Sequence, residues 1–209
     1  MAPPNNLVHV IDDDDAVRDS LEFLLRAAKI EVKTYDSAST FLAAVAGSSG
    51  AGCIVTDVRM PGLSGVDLLR QLKARGSSMP VIVITGHGDI QLAVEAMKIG
   101  AADFLEKPFD DEALLASVRS ALGRLEKDAQ RNADRTDLSN RLAALTPRER
   151  DVLEGLVAGK ANKIIAFDLG ISPRTVEIYR ANVMTKMDAG SLSELVRMAL
   201  LAGVLNAGE

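Results

Sequence analysis

The sequence predicts two folds in one chain: an open, doubly wound α/β fold with a five-stranded parallel sheet, followed by an all-α module of four helices. Three observations carry this. Five short apolar runs alternate with amphipathic helical patterns as far as residue 122. A polar stretch with no Gly or Pro then separates Gly123 from Pro147. From Thr146 onward the periodicity is helical throughout.

The apolar runs are Leu7–Ile11, Glu31–Tyr35, Cys53–Thr56, Val81–Thr85 and Asp103–Leu105. The first, third and fourth are almost continuously apolar, as strands become when helices cover both faces of a parallel sheet. Helical patterns lie near 16–29, 38–46, 64–75, 90–98 and 111–122, and Asp14 and Asp15 suit the first helix's N-terminus. Residues 124–145 read as an extension of the fifth helix or as a flexible tether. Thr146-Pro147 with Glu149 forms a capping box that opens the next helix, which Gly159 ends. Helices follow at Asn162–Leu169, from Pro173 after a turn at Gly170, and at Ser191–Ala202. The expected domains are 1–123, a helical linker at 124–143, and 144–209.

Aromatic residues make up only 3% of the chain, so aliphatic packing must fill both cores. The lone cysteine, Cys53, sits in an apolar run and reads as a buried structural thiol. His9, inside an apolar strand, reads as a packed core histidine. No stretch reaches the ~20 apolar residues of a membrane span, and Met1–Asn6 lacks a signal-peptide pattern, so a cytoplasmic protein without a membrane partner is expected. Residues 1–125 carry 12 basic and 17 acidic side chains, whereas 141–209 carry 9 and 8. The acid excess therefore lies in the first half and leaves DNA binding open to the second.

In an open α/β sheet, functional groups gather beyond the carboxyl ends of the strands. Asp12 and Asp13 follow the first strand and Asp57 the third; Thr85 ends the fourth, and Lys107 follows the fifth, before Pro108. Clustered carboxylates stay ionised only when a cation joins them. Hard oxygen donors that leave room for water suit Mg²⁺. One carboxylate can then attack a phosphoryl group, with Lys107 and Thr85 holding the phosphoryl oxygens. A single such residue is an ordinary loop residue; five at successive strand ends are not.

Ile11-Asp12-Asp13, Asp57 with Met60-Pro61-Gly62, Thr85-Gly86-His87 and Lys107-Pro108-Phe109 resemble the receiver-domain signature of two-component response regulators, whose fold is flavodoxin-like. The resemblance covers 7–122 and implies Asp57 as phosphoacceptor. It implies Asp13, Asp57 and the Arg59 carbonyl as direct Mg²⁺ ligands, with Asp12 acting partly through water, and Thr85 with Phe104 as a switch pair. A plain core phenylalanine would also suit position 104. His87 reads as a loop residue rather than a second phosphoacceptor or metal ligand.

On the helix from Pro173, Val176, Val183 and Met187 form one stripe flanked by Tyr179 and Met184. Arg174, Ile178, Ala181 and Thr185 face away from it, with Thr175, Glu177 and Asn182 at the sides. A small, polar, exposed face suits a DNA major groove, and periodicity alone suits a protein-docking module equally well. The motifs tip that balance. Leu145-Thr146-Pro147-Arg148-Glu149-Arg150, Asn162-Lys163, Ile165-Ala166, Ile171-Ser172, Thr175-Val176, Asn182 and Lys186 resemble the LuxR-type helix-turn-helix. That implies phosphate contacts for Asn162, Lys163, Thr175, Asn182 and Lys186, and an approach to base edges by Glu177, Ile178 and Ala181, beside exposed Arg174. The family more often has a basic residue at 177. Glu177 either accepts from a cytosine or repels phosphate.

Together the two resemblances identify the NarL/FixJ class, and residues 85–101 are similar to its nitrogen-fixation branch. That class implies a sensor histidine kinase as donor, homodimers on phosphorylation, promoter DNA and RNA polymerase as partners, and activation of nitrogen-fixation or related genes. It implies no enzyme beyond the protein's own phosphoryl transfer and autodephosphorylation. Two rivals remain: an aspartate-nucleophile phosphatase, which wants a second Asp where Arg59 stands, and a protein-docking adaptor.

Overall fold

The computed structural model describes residues 6–46, 51–86 and 90–204 and divides into two compact units, Met1–Asp128 and Ala129–Glu209. In the first, β1 (Leu7–Ile11), α1 (Asp15–Ala27), β2 (Glu31–Tyr35), α2 (Ala38–Ala44), β3 (Cys53–Asp57), α3 (Gly65–Ala74), β4 (Val81–Thr85), α4 (Ile90–Ile99) and β5 (Asp103–Glu106) precede the long α5 (Asp111–Ala143). The sheet is parallel throughout, in the order β2-β1-β3-β4-β5. This is the five-stranded doubly wound arrangement whose crevice opens where the chain reverses direction, between β1 and β3.

Strand alternation sends successive side chains to opposite faces, and both faces are dry. Val8, Val10, Val55, Ile82 and Ile84 pack against Leu21 and Leu25 of α1 and against Leu114 and Val118 of α5. Ile11, Ile54, Val81 and Val83 meet Phe41 of α2 and Leu68, Leu69 and Leu72 of α3. Cys53 is fully buried, and burial pushes its thiol pKa up to about 12. His9 is buried beside Tyr35 and Phe41, and its two ring nitrogens meet the Tyr35 hydroxyl at 3.1 Å and the Ala51 carbonyl at 3.0 Å. Desolvation lowers its pKa, so the ring is a neutral part of the core.

Short polar caps set the helix starts. The Asp14 carboxylate accepts from the Ala16 and Val17 amides to open α1, and Ser37 and Ser64 do the same for α2 and α3. The choice between extension and tether is resolved in favour of the helix: α5 continues without a break to Ala143. Nothing in 124–143 interrupts it, and Gln130–Asp134 and Arg141–Asp137 bonds stitch successive turns.

In the second unit, α6 (Pro147–Val157), α7 (Asn162–Leu169), α8 (Pro173–Met187) and α9 (Leu192–Leu201) close over Leu153, Ile165, Val176, Val183, Met187 and Leu195, with Leu138, Leu142 and Leu145 from the end of α5 and the residues after it. The Thr146–Glu149 capping box forms as expected, and Gly170 takes φ 65° at the turn into α8. Among the described residues no helix is long and apolar enough to cross a membrane.

Candidate phosphoacceptor site and nucleic-acid interface

Parallel register brings all the strand carboxyl ends to one edge: Ile11 lies beside Thr56, Asp57 beside Ile84, and Thr85 beside Glu106. Asp12 (2% exposed) and Asp57 (8%) therefore meet at the crevice between β1 and β3. Lys107 reaches across from the end of β5, and its Nζ donates to Asp57 Oδ1 at 2.8 Å and Asp12 Oδ2 at 3.1 Å. Its own amide is fixed by the Thr85 carbonyl at 2.8 Å. The Arg59 amide donates to Asp57 Oδ2 at 2.6 Å, and the Asp14 amide to Asp12 Oδ1 at 2.9 Å.

The electrostatics follow from this packing. Burial raises the Asp57 pKa, and the nearby Asp12 charge adds to it; the Lys107 and Arg59 hydrogen bonds only partly offset them. Burial works against the Lys107 charge, but the bonds to Asp57 and Asp12 outweigh it and raise the lysine's pKa. The result is an ammonium held charged beside a carboxylate whose anion is poorly stabilised.

Of the expected residues, the structure brings together Asp12, Asp57, Lys107 and the buried Thr85, whose hydroxyl donates to the Gly86 carbonyl at 3.4 Å. Asp13 is exposed and stands outside the pair. Among the described residues no group of three or more His, Cys, Asp or Glu converges in a metal-holding arrangement. The hard carboxylate oxygens of Asp12 and Asp57 nonetheless fit Mg²⁺, which needs only one or two carboxylates when phosphate and water complete its shell. Phe104 is 44% exposed, so it is not the plain core residue its strand also allowed. His87 lies outside the described residues.

Gly65 was not legible as a site residue. A Cβ there would lie 2.2 Å from the Asp57 carbonyl oxygen, so only glycine lets α3 start this close against the end of β3. A glycine after the Ser64 cap was the only signal available.

In the helical unit, α8 buries Val176, Val183 and Met187, half-buries Tyr179 and Met184, and exposes Arg174, Glu177, Ile178, Ala181, Asn182 and Thr185. That is the division read from the helical wheel. Lys163 is exposed and Asn162 half-buried at the start of α7. The Thr175 hydroxyl bonds the Ser172 cap at 2.8 Å, and Arg174 pairs with Glu177 at 3.2 Å. The Lys186 ammonium donates to Glu149 Oε2 at 2.7 Å and to the Ala144 carbonyl at 3.2 Å, while its side chain stays 36% exposed. Lys186, with the Thr146 amide and hydroxyl, holds the buried Glu149 down to about 2.

The sheet edge and the helical unit together define a response regulator with a DNA-binding output module. Residues 8–119 match the response regulator receiver domain, and residues 143–199 match the bacterial regulatory proteins of the luxR family. The chain belongs to this family of two-component response regulators. It is 62% identical over 207 residues to the transcriptional regulatory protein FixJ of Azorhizobium caulinodans, covering 99% of this chain and 98% of that one. Among solved structures, full-length FixJ from B. japonicum is 56% identical, with 96% and 98% of the two chains covered and a TM-score of 0.61. The response regulator StyR is 42% identical, with 93% and 98% covered and a TM-score of 0.83.

Proposed function

We propose that the protein is a cytoplasmic, phosphorylation-controlled transcription regulator in which residues 1–123 receive the signal, 124–143 link, and 144–209 bind promoter DNA. The observation that carries this is the Asp12–Lys107–Asp57 cluster at the sheet edge. An Asp57 oxygen attacks the phosphorus of a phosphohistidine on a sensor kinase. The P–N bond breaks with its electron pair leaving on the imidazole, and an acyl phosphate forms. Lys107 and Thr85 hold the phosphoryl oxygens, and Gly65 lets α3 start close against the Asp57 backbone. Asp12, Asp13, Asp57 and the Arg59 carbonyl would hold Mg²⁺, which when bound neutralises phosphoryl charge. Reorientation of Thr85 and Phe104 then promotes homodimers through the receiver.

The DNA contacts proposed are Asn162, Lys163, Thr175 and Asn182 at phosphates, with Arg174, Glu177, Ile178 and Ala181 facing base edges; Lys186 serves within the fold instead. Likeness to the FixJ proteins supports activation of nitrogen-fixation or related genes with RNA polymerase, and no catalysis beyond the protein's own phosphoryl transfer and autodephosphorylation.

Incubation with acetyl phosphate and Mg²⁺ tests the core of this reading. The wild type gains roughly 80 Da, the mass of one phosphoryl group on the nucleophile, becomes dimeric in sedimentation, and shifts promoter duplexes. An adduct without any gain in DNA binding would favour the adaptor reading.

A further inference from the structure

The last carbonyls of a helix have no partner within it. At the end of α8 one of them, that of Met187, is met from α5. Arg141 Nη1 donates to the Met187 carbonyl at 2.8 Å and lies 3.1 Å from the Asp188 carboxylate. Asp188 is the left-handed residue, at φ 55°, that closes α8. Arg141 Nε is in turn held by Asp137 at 2.7 Å, one turn back in α5. The opposite contact is made from α8: Lys186 donates to the carbonyl of Ala144, the residue just after α5, and to buried Glu149. Arg150 adds a bond to the Leu142 carbonyl at 3.2 Å. Each helix end therefore carries a cation placed on the other's terminal carbonyls, where the helix dipole favours it.

We propose that Arg141, although it lies outside the α7–α8 pair, is a positioning residue for DNA readout: it fixes how far along its axis, and at what rotation, α8 presents Arg174, Glu177, Ile178 and Ala181. The inference rests on the reading of α8 as the helix that enters DNA. Val176, Val183 and Met187 hold α8 by apolar packing, which is non-directional and specifies rotation weakly. A guanidinium held by carboxylates on two sides and bonded to one carbonyl specifies it strongly. Readout of base edges through paired hydrogen bonds depends on that placement, whereas attraction to phosphate does not.

The test uses the full-length phosphorylated chain, a duplex selected by the wild type from a random pool, and a scrambled duplex of the same length, across a range of salt. Arg141→Ala loses roughly tenfold on the selected duplex, as expected for one charge-assisted bond. It keeps its affinity for the scrambled duplex and its salt slope. Arg141→Lys recovers part of the loss, because an ammonium reaches the Met187 carbonyl without the geometry of the guanidinium fork. Equal loss on both duplexes at unchanged slope, with a lower melting temperature, overturns the proposal in favour of a merely structural role. A slope reduced by about one unit overturns it in favour of a phosphate contact. Unchanged affinity for the selected duplex also overturns it. Failure of the wild type to select any duplex overturns the DNA reading itself, and is seen before any variant is made.

Discussion

Each unit of this protein buries a carboxylate against a lysine, and the two pairs are set to opposite ends. In the receiver, Asp57 shares Lys107 with a second acid, Asp12, and receives one backbone amide. Burial and the neighbouring charge leave its pKa raised. In the helical unit, Glu149 has Lys186 without a competing acid, and accepts as well from the Thr146 amide and hydroxyl. Its pKa is held at about 2. The carboxylate's charge is thus disfavoured where one cation must serve two acids, and favoured where one acid is fully satisfied. A buried charge lacking partners is costly, and a site of chemistry is where a fold retains that cost.

The largest expected effect tests the reactive half. Asp57→Asn leaves the chain without the acyl-phosphate adduct on incubation with acetyl phosphate and Mg²⁺, since the amide is not a nucleophile. In EDTA the same variant is at least as resistant to urea as the wild type, because it removes a buried charge and, with it, the repulsion from Asp12. A clear loss of stability there would mean that Asp57 is as well satisfied as Glu149, and the contrast would fail.

Glu149→Gln goes the other way. It removes the charge that Lys186 and Thr146 satisfy, and costs about 2 kcal/mol at neutral pH, the worth of a hydrogen bond to a charged group. The folded pKa lies below the ordinary 4.5, so the stabilisation is complete above that pH and fades as pH falls towards 2. Urea titrations across that window should find wild type and variant converging in acid. Parallel curves would remove Glu149 as the source.

A third effect separates two exposed lysines by what they touch. Lys163→Ala weakens binding to every duplex alike and lowers the salt slope by about one unit. Lys186→Ala lowers stability and leaves the slope unchanged. A reduced slope in Lys186→Ala would restore the phosphate contact that its sequence position implied.

The strands, the capping box and the buried stripe of α8 were legible because they follow from local periodicity and cap chemistry. So were Asp12, Asp57, Thr85 and Lys107, since parallel strands must bring their carboxyl ends to one edge. Less legible was anything decided by which partner a long side chain reaches. Lys186 and Lys163 are both exposed lysines on helices of the helical unit; only tertiary packing shows that Lys186 meets Glu149. Arg141 gave no signal at all, because its partner is a backbone carbonyl 46 residues away. Gly65 was hidden for the same reason: its neighbour is the Asp57 backbone, not a side chain with a recognisable chemistry.

The smallest effect on stability, and the finest test of the contrast, lies at Glu177. This carboxylate is exposed and paired at 3.2 Å with Arg174 across one helical turn, so its removal costs the fold only about 0.3 kcal/mol. Unlike Asp57 and Glu149, its environment is not fixed until DNA arrives. Three outcomes separate its roles. If it accepts from a cytosine, Glu177→Ala relaxes preference at one base pair per half-site by roughly 1–3 kcal/mol. If it repels phosphate, the same change tightens binding to every duplex with no change in preference. If it steers Arg174, then Arg174→Ala and Glu177→Ala relax preference at the same base pair, and the double variant loses no more than either single one. Titration of the three variants against a selected duplex and its single-base changes decides among them, and unchanged binding in all three would mean that this face of α8 does not meet the groove.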